Sequence, residues 1–195
     1  MVAHHIVSVT ERDRSASIGL IADSAKHMRH LYLLRHAKSL WSDLTLEDFE
    51  RPLSPRGLRD ANKIASYLKR TKPHIELVLC SSAKRTTQTL ELIRTALKTE
   101  TKVLIEDSLY TFDPSKLLHQ LRKVPNQIHS VLIIGHNPGI QGLALQMTLP
   151  GQLRQRIALK YPTAALTIVE LENNSWDLSE PAISKTSFVA PTDLE

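Results

Sequence analysis

From residue 30 onward the apolar positions of this chain follow two alternating patterns. Short continuous stretches, Leu31-Tyr32-Leu33-Leu34, Leu77-Val78-Leu79 and Val131-Leu132-Ile133-Ile134, have the length and composition of strands buried on both faces. Between them, apolar residues recur every three or four positions. Leu58, Ala61, Ile64, Ala65 and Leu68 form a helical stripe, opened by Ser54, which suits an N-cap, and Pro55, which suits the first helical position. A second helix is predicted over about 83–97, with Leu90, Ile93, Ala96 and Leu97 inward and Arg85 in its first turn. Pro114 opens a third with Leu117, Leu118 and Leu121, and Pro138 a fourth with Ile140, Leu143, Ala144 and Met147. Strands are predicted at about 31–35, 76–80, 102–105, 130–135 and 164–170, with an edge strand near 175–178. Such alternation builds an α/β fold, a three-layer α/β/α arrangement around a mostly parallel central sheet.

The pattern is missing at both ends. Residues 1–29 mix serines and threonines with Glu11, Arg12, Asp13 and Arg14, and only Ile18-Gly19-Leu20-Ile21 is continuously apolar, which predicts an N-terminal extension. The acids Glu11, Asp13 and Asp23 argue against an organelle-targeting peptide, and a start at Met28 would also leave a complete domain. The expected division is an extension over 1–29, one domain over 30–180 and a loose C-terminal tail over 181–195.

Composition narrows the function further. A net charge of +5 attracts anions of any size, but the cations are scattered among acids and aromatics are only 5%, a poor endowment for nucleic acid. No apolar run is long enough to span a membrane, and the single cysteine, Cys80, allows no intramolecular disulfide, so the cytoplasm is the expected compartment. Cys80 reads as a small buried hydrophobe. His4, His5, His27 and His30 have no cysteine or carboxylate spaced around them as a metal site requires; they read as solvated, and neither metal nor cofactor is expected.

The chemistry gathers where apolar runs end. Arg35-His36-Ala37-Lys38-Ser39 follows the first run and Gly135-His136-Asn137-Pro138 follows the third. Ser81-Ser82-Ala83-Lys84-Arg85-Thr86-Thr87-Gln88-Thr89 follows the second. In an open α/β sheet these carboxyl ends share one edge, where helix N-termini favour anions. Two imidazoles and two guanidiniums there suit a phosphoryl dianion. His36 would attack phosphorus as a neutral ring, Arg35 and Arg85 would grip the phosphoryl oxygens, and a protonated His136 would add another donor.

These three segments resemble, in order, the Arg-His-Gly, Ser-Pro-x-x-Arg-x-x-Gln-Thr and second-histidine segments of the histidine phosphatase superfamily, which has the phosphoglycerate mutase-like fold. Within it, Arg35-His36-Ala37-Lys38-Ser39, Arg51-Pro52-Leu53-Ser54-Pro55-Arg56-Gly57 and Pro162-Thr163-Ala164-Ala165-Leu166 are similar to the short SixA-like phosphohistidine phosphatases. The resemblance spans about residues 30–178 and implies His36 as the phosphorylated residue, with Arg35, Arg85 and His136 completing the phosphate pocket. Ser42 stands where many members have a phosphate-binding asparagine and is the matching substrate-binding candidate. The family's glutamate acid, in a Leu-x-Glu segment after the third strand, is replaced by Leu109-Tyr110-Thr111, leaving Glu106, Asp107 and Asp113 as candidate substitutes. A phosphorus–nitrogen bond needs such an acid less than an ester does. The expected substrate is therefore a phosphohistidine-bearing protein, a phosphotransfer domain or phosphocarrier. A small phosphomonoester, or a pocket that binds phosphate without turnover, are the alternatives.

Overall fold

The computed structural model describes residues 28–42 and 45–194. Most of the predicted extension, with His4, His5 and His27, lies outside the described residues. A six-stranded sheet runs through the middle, built from β1 (Arg29–Arg35), β2 (Leu77–Ser81), β3 (Lys102–Glu106), β4 (Ser130–Gly135), β5 (Leu166–Leu171) and β6 (Ile183–Val189), in the spatial order β3-β2-β4-β1-β5-β6. The first four strands are mutually parallel, whereas β5 pairs antiparallel with β1, and β6 antiparallel with β5. Helices α1 (Pro55–Thr71) and α2 (Lys84–Arg94) cover one face. Helices α3 (Pro114–Leu121), α4 (Gly139–Gln146) and α5 (Gln152–Leu159) lie on the other.

Alternation along the strands divides the core between the faces. Leu31, Leu33, Val131 and Ile133 point toward α3 and α4, while Tyr32, Leu34, Leu132 and Ile134 point toward α1 and α2. All eight are buried, which is why these strands read as unbroken apolar runs.

The α1 cap forms as the sequence predicts, Ser54 Oγ accepting from Gly57 N at 3.1 Å with Pro55 in the first turn. The stripe differs at one end. Leu58 is 43% exposed, and Gly57 takes the inward place because α1 begins against the backbone of Lys38, where a Cβ on Gly57 would lie 2.1 Å from the carbonyl oxygen.

Three further expectations are corrected. The segment 175–178 is no edge strand: Trp176 and Leu178 are buried, and the Trp176 indole donates to the Ile128 carbonyl at 2.7 Å. The predicted tail beyond 180 is no loose end, since β6 pairs along β5 and buries Phe188. Arg29, assigned to the extension, belongs to β1; its buried guanidinium donates to the carbonyls of Asn126, Ile128, Asn173 and Asn174 and stacks 5.2 Å from Trp176. A long-range arginine clamp of this kind leaves no periodic trace in the chain. Helix α5 was not anticipated either: its single buried residue, Ile157, makes no stripe.

Candidate active site

Strand register brings the two histidines together. Arg35 pairs with Gly135 across the parallel β1–β4 ladder, so the next residues, His36 and His136, leave neighbouring strands side by side with ring centroids 5.1 Å apart. Ser81 ends β2 on the other side of β4, and α2 begins three residues later with Arg85 in its first turn. Arg35, His36, Arg85 and His136 line one cleft of about 440 Å³ together with Lys38, Trp41, Asp48, Tyr110, Phe112 and Asn137. A second groove of about 520 Å³, along the outer side of α1, is lined by residues none of which is buried. It offers no comparable reactive group.

Segments that carry the family resemblance also hold one another. Ala37 N donates to Thr89 Oγ1 at 3.0 Å, Leu53 N to Gln88 Oε1 at 2.7 Å, and Ser54 N to the Lys38 carbonyl at 2.8 Å. Ala164, at φ +60°, donates its N–H toward the carbonyls of both Arg35 and His36. Thus Gln88, Thr89, Ser54 and Ala164 fix the backbone around His36 rather than meet a ligand.

Hydrogen bonding sets the tautomers. A carbonyl can only accept, so His36 Nδ1 carries the proton it donates to the Ala37 carbonyl at 2.7 Å, and the Nε2 lone pair is left available. A guanidinium can only donate, so His136 Nδ1 accepts from Arg85 Nη2 at 3.2 Å and its Nε2–H donates to Ser81 Oγ at 2.8 Å. Burial, reinforced by the Arg85 and Arg35 charges, pushes His36 down to about 3, against the opposing pull of its bond to Ala37 and of Asp48. His136 is likewise held at about 3, first by burial and then by His36 and Arg85. Both rings are neutral at neutral pH. For His136 to donate to a phosphoryl oxygen it must gain a proton when the dianion arrives, a change that the dianion's charge favours.

The guanidiniums differ in their engagement. Arg35 Nη1 donates to the Tyr161 carbonyl at 2.6 Å, while its buried Nε has no partner among the described residues, a donor suited to a ligand oxygen. Arg85, 4% exposed, donates through Nη1 to the Asp48 carbonyl at 2.5 Å and through Nη2 to Asp48 Oδ2 at 2.9 Å. Asp48 also accepts from the Tyr110 hydroxyl at 2.7 Å and lies 3.3 Å from Arg51. The Tyr110 bond, with the charges of Arg85 and Arg51, holds its carboxyl below the usual aspartate range despite partial burial.

The carboxylates expected to replace the missing glutamate do not reach the cleft. Glu106 accepts from Ser108, Asp107 from Ser82, and Asp113 caps α3 by accepting from Ser115 N. Ser42 is exposed and is not among the described residues lining the cleft, although its neighbour Trp41 is. Sequence reasoning missed Asp48, Tyr110 and Phe112. The ring of Tyr110 stands edge-on to His136 at 5.1 Å, so an aromatic wall occupies the segment where the glutamate was sought. Nothing in the spacing of Asp48 marks it apart from the neighbouring acids Glu47 and Glu50. Cys80, pushed up to about 12 by burial, stays a thiol. Among the described residues no group of three or more His, Cys, Asp or Glu could hold a metal ion.

An arginine–histidine floor at the carboxyl edge of the central sheet is suited to binding and transferring a phosphoryl group. Residues 31–113 match the family model of the histidine phosphatase superfamily, branch 1. An uncharacterized protein of Mycobacterium leprae is 30% identical over 164 residues, covering 81% of this chain and 99% of that protein. A candidate phosphohistidine phosphatase SixA from Agrobacterium tumefaciens superposes with a TM-score of 0.71 at 25% identity, over 84% of this chain and 98% of that one. A mycobacterial glucosyl-3-phosphoglycerate phosphatase shares the fold, with a TM-score of 0.57 at 16% identity over 84% of this chain and 98% of that one. The chain belongs to the histidine phosphatase superfamily, in its SixA-like branch, and is a phosphatase. Among the described residues no helix is long and apolar enough to cross a membrane.

Proposed function

We propose that this phosphatase removes the phosphoryl group from a phosphohistidine on a protein partner, a phosphotransfer domain or phosphocarrier, by way of a phosphohistidine on His36. The Nε2 lone pair of His36 attacks phosphorus while Arg35 and Arg85 hold the phosphoryl oxygens, the substrate's phosphorus–nitrogen bond breaks, and water then hydrolyses the enzyme intermediate. No cofactor enters this scheme. The lone buried Cys80 suits a reducing compartment, and the cytoplasm is part of the proposal.

One observation carries the choice of substrate. The cleft holds a nucleophile-ready imidazole and two guanidiniums, yet its described carboxylate, Asp48, is bound by Arg85, Tyr110 and Arg51 in a way that keeps it ionised. An alkoxide leaving an ester needs a proton that an ionised carboxylate cannot supply. An imidazole leaving a phosphoramidate departs neutral when its other nitrogen is already protonated. The likeness to the SixA candidate agrees with this reading.

The test is turnover of a phosphohistidine-bearing phosphotransfer domain against a panel of small phosphomonoesters, with acid-labile, alkali-stable phosphate sought on His36 during the reaction. Expected are preference for the phosphoprotein and label on His36 that disappears in His36→Ala. Clear preference for the monoesters would overturn the proposal.

A further inference from the structure

Asp48 belongs to a short 3-10 turn, Asp48–Glu50, between β1 and α1, and it reaches the phosphate floor from the rim. Its backbone carbonyl already anchors the turn to Arg85 Nη1. The carboxylate is therefore not needed to hold the turn in place. Oδ2 accepts from both Arg85 and Tyr110, whereas Oδ1, among the described residues, meets Arg51 at 3.3 Å, and the side chain is 46% exposed at the cleft. One carboxylate oxygen thus keeps accepting capacity beside the groups that would surround the phosphorus.

We propose that Asp48 is a specificity-determining catalytic residue that selects a protonated imidazole as leaving group, Oδ1 accepting the ring N–H of the substrate's phosphohistidine; this rests on the phosphohistidine reading above. The charges balance. The substrate ring, phosphorylated on one nitrogen and protonated on the other, carries one positive charge. The bond from His36 Nε2 to phosphorus forms as the substrate's bond breaks, and its electron pair stays on the departing nitrogen. That ring leaves neutral with its N–H intact, and the positive charge passes to the His36 ring, whose Nδ1–H already rests on the Ala37 carbonyl. An anionic carboxylate stabilises the cation before and after transfer. The same carboxylate repels a dianionic ester and gives its alkoxide no proton. Both Nη2 hydrogens of Arg85 are engaged, by Asp48 and His136, so a phosphoryl oxygen taking Nη2 must compete with one of them.

Asp48→Asn keeps the size and can still accept from Tyr110 while removing the charge. On phosphoimidazole its kcat/KM is expected to fall about tenfold to hundredfold. Hydrolysis of p-nitrophenyl phosphate is expected to hold or rise, and inorganic phosphate, titrated calorimetrically, to bind as tightly or tighter. A parallel loss on both substrates with weakened phosphate binding would reduce Asp48 to a prop for Arg85, and an unchanged rate on phosphoimidazole would remove it from the reaction; either overturns the inference alone. If the parent protein ignores phosphoimidazole and phosphohistidine while cleaving p-nitrophenyl phosphate, the functional reading falls and the selection role with it.

Discussion

The floor and the rim of the cleft are built by different rules. On the floor, Arg85, His36 and His136 are buried, issue directly from strand or helix ends, and are fixed by backbone carbonyls, by Ser81 and by Thr89 acting through Ala37. On the rim, Trp41 and Phe112 are 58% and 49% exposed, and Asp48 comes from a loop between elements. The floor is buried and carries the two guanidinium charges, which suit a phosphoryl dianion. The rim is aromatic and carries the acid, so it meets whatever bears the phosphoryl group. The two are joined through Asp48, which accepts from Arg85 on the floor through both its carbonyl and its carboxylate.

Changes to the floor are expected to have the largest consequences. His36→Ala is expected to lower turnover on any phosphorylated substrate by about 10³-fold or more while leaving a cooperative thermal transition, as measured by steady-state rates and calorimetry. Arg85→Lys keeps the charge but loses the fork; a fall in kcat/KM of about 10²-fold is expected, and near-normal activity would show that the geometry of Arg85 is dispensable.

Acid provides a change that leaves every side chain in place. Both histidines sit at about 3 in the folded protein and near 6.5 when unfolded, so below pH 6.5 the unfolded chain binds protons that the native one refuses. Stability is complete above that value and declines as the pH falls toward 3, by at most about 1.4 kcal/mol per pH unit for each ring. Denaturant midpoints at pH 7, 6 and 5 are expected to decrease in that order for the parent and less steeply for His136→Gln.

Smaller effects separate support from contact. Thr89→Val strips the partner from the buried Ala37 N–H and is expected to destabilise by about 1–3 kcal/mol, read as a lower unfolding midpoint, with a fall in kcat that exceeds any change in KM. On the rim, Trp41→Ala is expected to alter stability by no more than about 0.5 kcal/mol and to raise KM for a phosphoprotein without slowing phosphoimidazole. If Trp41→Ala lowers kcat on both substrates as Thr89→Val does, rim and floor are one structure.

Legibility followed the same division. The first four strands, α1, α3 and α4, and the quartet Arg35, His36, Arg85 and His136 were readable because each depends on periodicity or on what directly follows an apolar run. Parallel register converted those positions into neighbours, since side chains one step beyond paired residues must emerge at the same edge. The missed parts share a different cause. Strand β6 is half exposed and polar, with Phe188 its buried residue, so the pairing that makes it a strand comes from β5 rather than from its own pattern. The expected substitutes Glu106, Asp107 and Asp113 were near the right strand in sequence but turned to Ser108, Ser82 and the α3 cap.

Local hydrophobic order, which acts over a few residues, was enough to set the layers and the chemistry of the floor. The choice of Asp48 as the carboxylate at the cleft rests on contacts that cross 37 residues to Arg85 and 62 to Tyr110. No short-range pattern encodes such contacts, because they form only once packing has brought separate loops to the same edge of the sheet.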